Sequence, residues 1–123
     1  YYVSPTIIYL KSIDEINEEF FGPILHVISY KSSELEDMID RLNNKGFGLT
    51  FGIHSRIDKQ VEEITSRVNA GNIYVNRNQI GAIVGSQPFG GEGLSGTGPT
   101  AGGPSSLHGY SQSIASTKAT DLE

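Results

Sequence analysis

The first candidate for chemistry is a glycine motif, G-x-G-x-x-G, formed by Gly91, Gly93 and Gly96. This spacing is typical of dinucleotide-binding loops, in which a strand leads in and the N-terminus of a helix holds the pyrophosphate. Here no apolar run precedes the motif, and the Thr-Gly-Pro sequence after it disfavours a helix. No acidic residue stands about 20 residues further on, where a ribose partner is expected. The motif therefore predicts a loop whose backbone approaches a neighbour closely.

The second candidate is an acidic and aromatic stretch that ends in a Gly-Pro turn, Glu18 to Pro23. Its carboxylates can accept hydrogen bonds from ligand hydroxyls, and its two phenylalanine rings can form a packing surface. An exposed acidic pair ahead of a turn explains the same residues equally well. From the residues alone, both interpretations stay open.

The third candidate begins at Asn76, where a predicted strand ends. Sheets in α/β folds place their ligand sites at the carboxyl ends of strands. Gly81 and Ala82 offer unhindered backbone N–H groups, which can cradle a carboxylate. Arg77 is either part of such a site or an ordinary solvated charge. This segment is therefore a candidate carboxylate site.

Composition limits the chemistry and the partners. The 123 residues carry a net charge of −5 without a Lys/Arg cluster, which argues against nucleic acid or an anionic membrane as the main partner. No transmembrane run and no export signal is present in the sequence, so a cytoplasmic location is expected. His26 and His54 fall in predicted strands and are interpreted as structural, and no metal site is predicted. The absence of cysteine removes thiol nucleophiles from this chain.

Hydrophobic patterning predicts alternating strands and helices. Strands are expected at residues 5–10, 24–30, 49–54 and 72–76. Ser33 and Glu36 have the spacing of a capping box for a first helix, which stops at Gly46. Its apolar stripe is expected at Leu35, Met38, Ile39 and Leu42. Asp58 is expected to cap a second helix, which stops at Gly71. Its buried stripe is expected at Val61, Ile64 and Val68. The order β-α-β-α-β with short connections indicates an α/β fold with parallel strands.

A glycine-rich segment and a polar tail follow the last predicted helix and strand. Residues 81–103 contain nine glycines and show no helical or strand period. Loops of this length within small domains are usually functional or disordered. Residues 111–121 are rich in Ser and Thr, which suits an edge strand or a frayed tail. We therefore expect one domain over residues 1–110 and a polar tail or oligomerisation strand over 111–123.

Three motifs, taken in order, resemble those of the aldehyde dehydrogenase superfamily. Glu19 to Pro23 is similar to its E-x-F-G-P motif, and Gly71 to Asn76 to its G-x-I/V-x-V-N strand. Residues 87–96 are similar to its P-F-G-G…S-G segment. The resemblance extends to about Tyr110 and implies a partial aldehyde dehydrogenase-like catalytic domain. Residues 76–104 are most similar to the branch that oxidises L-glutamate γ-semialdehyde, in bifunctional flavoenzymes of bacterial proline utilisation or in single-function 1-pyrroline-5-carboxylate dehydrogenases.

The resemblance implies roles for particular residues. Glu19 would accept hydrogen bonds from the nicotinamide ribose of NAD, and Phe21 would pack beside the nicotinamide. Gly81 and Ala82 would anchor the substrate α-carboxylate through backbone N–H groups, and Phe89 would line the aldehyde pocket. FAD is expected only in the proline dehydrogenase part of a parent enzyme, outside this chain.

One departure from the family pattern is the missing nucleophile. Members of the family attack the aldehyde with a cysteine thiolate, and this chain has no cysteine. The resemblance therefore implies a C-terminal segment of the dehydrogenase, inactive by itself, whose partners are the substrate, the rest of the parent enzyme and a second subunit. Two alternatives stay open, a self-standing carboxylate-binding module without catalysis and an assembly module that exchanges its tail strand.

Overall fold

The computed structural model describes residues 2–80 and 88–98. The chain divides into two compact units, Tyr1–Lys45 and Gly46–Glu123. Its helices and strands are β1 (Thr6–Leu10), β2 (Ile24–Ile28), α1 (Leu35–Asn44), β3 (Phe47–Gly48), β4 (Thr50–Ile53), α2 (Asp58–Arg67), β5 (Asn72–Val75) and β6 (Glu92–Gly93). The predicted α/β class and the order of the main elements are confirmed. The predicted boundary at residue 110 and the tail lie outside the described residues.

The first unit contains a pair of parallel strands with apolar residues on both faces. β1 and β2 run parallel, from Thr6 opposite Ile24 to Leu10 opposite Ile28. Side chains from both strands are exposed, among them Tyr9 at 78% and Leu25 at 56%. A two-stranded sheet with an uncovered apolar surface has little stability of its own in water. The exposed apolar side chains of these strands are therefore typical of a sheet that is covered by further protein.

Helix α1 confirms the predicted apolar stripe but not the predicted start. Ile39 is buried, and the other members of the stripe are half-buried. Ser33 lies in a 3-10 turn ahead of the helix, so the capping box of Ser33 with Glu36 is wrong. Glu34 accepts a hydrogen bond from the backbone N–H of Lys31 at 3.0 Å instead. The contact in which a glutamate reaches back to a backbone N–H is thus made two residues earlier than predicted, by Glu34 rather than Glu36.

Arg41 links α1 to the short 3-10 helix at residues 13–15. Its Nε lies 2.7 Å from the carboxylate of Asp37, and its Nη1 lies 2.8 Å from that of Asp14. Asp37 and then Asp14 raise the pKa of Arg41, because each stabilises the cation. The raised pKa keeps the guanidinium charged at neutral and alkaline pH, and added salt is expected to weaken this exposed cluster.

The second unit is built on a β-α-β arrangement. β4 and β5 run parallel, from Thr50 opposite Asn72 to Ile53 opposite Val75. The predicted apolar stripe of α2 is confirmed, since Ile64 is buried in the helix that connects the two strands. No helix in residues 2–80 or 88–98 has the length and apolar character needed to span a membrane.

The start of α2 differs from its prediction. Asp58 is the first residue of the helix rather than its cap, and Ile57 occupies the cap position. The hydroxyl of Ser55 accepts a hydrogen bond from the N–H of Ile57 at 3.2 Å. The carboxylate of Asp58 still lies in the first turn, where the positive end of the helix dipole favours it. The helix ends at Arg67, before the predicted stop at Gly71.

A short antiparallel pair joins the glycine-rich segment to the rest of the second unit. Phe47 lies opposite Gly93, and Gly48 lies opposite Glu92. The expectation that residues 81–103 contain no strand is therefore wrong for these two positions. A two-residue strand is too short to leave a periodic pattern in the sequence.

Candidate functional site

The acidic and aromatic stretch forms a tight turn that presents its side chains outward. Gly22 adopts a φ of +151°, which side-chain-bearing residues rarely adopt. The carbonyl of Pro23 accepts a hydrogen bond from the N–H of Thr6 at 2.9 Å, which fixes the turn at the start of β2. Glu19 is exposed, and Phe21 is 90% exposed. The turn thus presents an exposed carboxylate and an exposed ring two residues apart.

The neighbouring ring, Phe20, has a structural contact. Its centroid lies 5.2 Å from that of His26, with the two rings tilted by 51°. This geometry is favourable for aromatic pairs. The contact agrees with the structural interpretation of His26, and Phe21 at 90% is the more exposed ring of the pair, against 47% for Phe20.

The G-x-G-x-x-G motif forms a compact turn rather than a strand-to-helix junction. The N–H of Gly98 donates to the carbonyl of Gly91 at 2.7 Å, and Ser95 N–H donates to Glu92 O at 3.1 Å. Gly93 and Gly96 adopt φ values of +62° and +138°. These positions need glycine because L side chains are strained there. The prediction of a closely packed loop in place of a nucleotide fingerprint is confirmed for residues 88–98.

Contacts with two other segments attach this loop to the second unit. The N–H of Leu94 donates to Gly46 O at 2.8 Å, and the N–H of Gly48 donates to the hydroxyl of Ser95 at 3.1 Å. A Cβ on Gly71 would overlap the carbonyl oxygen of Gly90. The backbone next to Phe89, which is half-buried, is thereby held against the start of β5.

Asn72 makes the polar contact that the sequence analysis missed. This residue is 7% exposed, and its Nδ2 donates to Leu49 O at 2.7 Å and to Gly90 O at 2.8 Å. A single polar residue at the start of an otherwise apolar strand is the signal that could have identified it. Buried amides of this kind are hydrogen-bonded because the unpaired state is costly.

A groove of about 400 Å³ runs along β5. It is lined by residues 71–75, together with Arg77 and Pro88. Five consecutive residues on one wall indicate a strand edge, and among the described residues β5 pairs with β4 alone. The guanidinium of Arg77 lies 4.9 Å from the centroid of the Tyr74 ring, in a cation–π contact. Arg77 is thus more than a solvated charge, and the groove is an open edge rather than an enclosed pocket.

A second groove, of about 280 Å³, lies in the first unit beyond the carboxyl ends of β1 and β2. Lys11 and Arg41 are among its lining residues, with Glu34 and Asp37 beside them. Its Arg41 is already engaged by two carboxylates. None of the residues predicted to bind substrate or cofactor lies in this groove.

Two of the predicted substrate residues, Gly81 and Ala82, lie outside the described residues. Within residues 2–80 and 88–98, no group of three or more His, Asp and Glu side chains is placed to hold a metal ion. Glu19 and Phe21 belong to the first unit, whereas Phe89 belongs to the second. The predicted cofactor residues thus share one turn, and the predicted aldehyde residue belongs to the glycine-rich loop.

Asn76 directly follows β5, and its side chain binds the backbone of Ser55, which follows β4. It adopts a φ of +55°, the left-handed region that asparagine tolerates better than most residues. Its side chain accepts from Ser55 N–H and donates to Ser55 O, both at 3.0 Å. Both backbone groups of one residue are thus satisfied by a single amide. Asn76 therefore fixes the direction in which the third candidate segment leaves the strand.

Asn76→Ala is expected to lower the free energy of unfolding by about 2 kcal/mol, from two lost hydrogen bonds and a side chain unsuited to positive φ. Asn76→Gly loses the same bonds but accepts the backbone angle, so we expect a smaller loss of about 1 kcal/mol. Urea unfolding of the three forms measures both values. Equal losses in the two variants would show that the backbone angle contributes nothing.

Comparison with known proteins identifies the family. The family model for the aldehyde dehydrogenase family matches residues 1–115. The chain belongs to the aldehyde dehydrogenase family. The family resemblance of the three motifs is thereby confirmed over nearly all of the sequence.

Two curated relatives within the family are similar to this chain over most of its length. The chain is 54% identical over 107 residues to the bifunctional protein PutA of Klebsiella aerogenes, covering 87% of the chain and 8% of that protein. It is 38% identical over 111 residues to the 1-pyrroline-5-carboxylate dehydrogenase of Bacillus subtilis, covering 87% of the chain and 21% of that protein. The chain therefore spans a small part of the length of the curated relatives that it matches.

Solved structures of family members share this fold. A crystal structure of proline utilization A from Bradyrhizobium japonicum superposes with a TM-score of 0.77 at 57% identity, over 82% of the chain and 10% of that protein. The 1-pyrroline-5-carboxylate dehydrogenase from Thermus with bound NAD gives a TM-score of 0.59 at 43% identity, over 66% of the chain and 15% of that protein. The α/β units described above are thus parts of the aldehyde dehydrogenase fold.

Proposed function

We propose that the chain is a C-terminal part of the catalytic domain of an NAD-dependent L-glutamate γ-semialdehyde dehydrogenase that acts in proline catabolism. The observation that carries the proposal is the 54% identity to a bifunctional PutA protein, against 38% to a single-function 1-pyrroline-5-carboxylate dehydrogenase. This difference favours a bifunctional parent. The missing cysteine and the 8% coverage agree with a role as part of a larger enzyme.

NAD is the cofactor that we assign to the turn at residues 19–23. Glu19 supplies an exposed carboxylate that can accept from both ribose hydroxyls, and Phe21 supplies an exposed ring for the flat nicotinamide. The bound cofactor supplies the hydride acceptor for aldehyde oxidation. This chain's part is to orient the ribose, so that the acceptor faces the reacting carbon. FAD is assigned to a proline dehydrogenase part of the parent and not to this chain.

The substrate is assigned to the segment that follows β5. Gly81 and Ala82 donate backbone N–H groups to the α-carboxylate, and Phe89 excludes water from the aldehyde carbon. The half-buried position of Phe89 and the two anchors on Gly90 support this role. The thiolate that attacks the aldehyde belongs to the rest of the parent enzyme.

Partners follow from the same proposal. The exposed apolar residues of β1 and β2 suit contact with the rest of the parent enzyme. We assign a homo-oligomeric state to the parent, with residues 111–120 pairing with a second subunit, and a cytoplasmic location. Gel filtration of the parent with and without residues 111–120 tests the subunit contact through the change in molecular mass.

Glu19→Ala in the parent dehydrogenase tests the assigned function and cofactor site together. We expect the KM for NAD⁺ to rise by at least about tenfold, since hydrogen bonds to a charged group contribute roughly 1.5–3 kcal/mol. The KM for the semialdehyde should stay within twofold of wild type. Steady-state NADH formation at varied concentrations of each substrate gives both constants.

The matched control is Glu18→Ala, which removes the neighbouring carboxylate that the family motif does not include. It should leave both KM values near those of wild type. A wild-type parent that fails to oxidise the semialdehyde would overturn the proposed function. Equal effects of the two variants would overturn only the assignment of Glu19.

A further inference from the structure

Asn72 holds three separate segments of the second unit together. Its Nδ2 carries two hydrogens, and both are used, one on Leu49 O and one on Gly90 O. Leu49 lies between β3 and β4, and Gly90 lies in the glycine-rich segment. The side chain is 7% exposed, so water offers little competition for these carbonyls.

The carbonyl of Gly90, the residue after Phe89, is therefore fixed from two sides. Asn72 donates to the carbonyl oxygen of Gly90, and the backbone of Gly71 packs so closely on the same oxygen that no Cβ would fit. Gly90 is itself buried. This carbonyl belongs to the Gly90–Gly91 peptide, so the two contacts fix the chain one Cα beyond the Phe89–Gly90 peptide and restrict the backbone conformations open to Phe89.

We infer that Asn72 is a positioning residue for Phe89 and thereby sets which aldehydes the enzyme accepts. The inference rests on the proposed function. Asn72 occupies a variable position in the family motif G-x-I/V-x-V-N, so the family pattern does not require an asparagine there. An apolar residue at this position would remove the Asn72 donor from the buried Gly90 carbonyl and from the part-buried Leu49 carbonyl, and the Gly90–Gly91 peptide would turn to satisfy its oxygen.

The test is a double-mutant cycle in the parent dehydrogenase with Asn72→Leu and Phe89→Ala. Asn72→Leu should raise the KM for the semialdehyde by between about tenfold and a hundredfold, the range expected when a substrate-contacting group shifts by about 1 Å. The KM for NAD⁺ should stay within twofold. In the Phe89→Ala background, Asn72→Leu should change the semialdehyde KM by less than about twofold, because the group that it positions is gone.

Several outcomes separate this role from a general structural one. Loss of active enzyme would lower kcat for every substrate and leave the semialdehyde KM unchanged, which overturns the inference. Equal factors for Asn72→Leu in the two backgrounds would also overturn it. Asn72→Ser, which keeps one donor, should give an intermediate KM. Asn44→Leu, the same exchange at an exposed site on α1, is the matched control and should alter neither constant.

A second measurement covers a parent that shows no semialdehyde activity, which would overturn the proposed function itself. Wild type, Asn72→Leu, Phe89→Ala and the double variant are then compared by thermal unfolding. Coupling between Asn72→Leu and Phe89→Ala in Tm supports the positioning of Phe89. Additive shifts in Tm overturn it.

Discussion

The purified chain is expected to form no NADH when it is mixed with L-glutamate γ-semialdehyde and NAD⁺. Under the proposed mechanism, hydride transfer follows attack by a cysteine thiolate on the aldehyde carbon, and the chain contains no cysteine. Serine and threonine hydroxyls do not replace it, because their pKa values leave almost no nucleophilic anion at neutral pH. Absorbance at the NADH band over several hours is the measurement, with activity at the no-enzyme background as the expected result.

Two controls make this result interpretable. The parent dehydrogenase, assayed in the same buffer, should form NADH readily, and its cysteine-to-serine variant should lose that activity. NADH formation by the chain alone would contradict the proposed division of labour. Calorimetric titration of glutamate into the chain should give no measurable binding heat, whereas clear binding would favour a self-standing carboxylate-binding module.

Gly71→Ala is expected to lower the free energy of unfolding by about 3 kcal/mol, near the upper end of the range for overpacking. The added Cβ would overlap the carbonyl oxygen of Gly90 and would lie 2.8 Å from its carbonyl carbon. Both atoms belong to backbone that Asn72 and the β3–β6 pairing hold in place. Relief would require the glycine-rich loop to move away from β5. Urea unfolding followed by circular dichroism measures the loss.

Gly22→Ala provides the contrasting variant. No atom lies within 4 Å of the added carbon at Gly22, but its φ is +151°, so its cost is purely conformational. We expect a loss of about 1 kcal/mol there. At Gly71 the cost is steric instead, because the site is crowded and its φ is not positive. A loss at Gly71 no larger than that at Gly22 would show that the loop yields easily.

Sequence patterning predicted the two helices and the four longer strands because each is an apolar repeat of several residues. The stripe containing Ile39 and the stripe containing Ile64 both face inward as predicted. The predicted helix caps were wrong, because several polar residues near the start of each helix have side chains that can bond to its backbone. Ser33 and Asp58 have suitable side chains, but Glu34 and Ser55 make the contacts. The choice depends on the path of the chain before the helix.

The candidate site likewise has a part that the sequence predicted and a part that it did not. The exposed turn at Glu19 and Phe21 was predicted from a local motif, since a Gly-Pro turn displays its neighbours whatever surrounds it. The contact of Asn72 with Leu49 and Gly90 was missed, because the three residues are 18 or more positions apart. The cation–π contact of Arg77 with Tyr74 was missed because the strand end brings two side chains together that the sequence does not mark.

By itself, the sequence determined the α/β class, the family and the absence of a thiol nucleophile. It also showed that the G-x-G-x-x-G motif lacks the strand and helix of a nucleotide fingerprint. Only the tertiary structure decided which backbone that loop contacts, namely the chain at Gly46 and Gly48 and the start of β5. Periodicity reports which face of a strand or helix is apolar. It carries no information on which distant backbone atoms meet, and those contacts hold the Gly90 backbone next to Phe89.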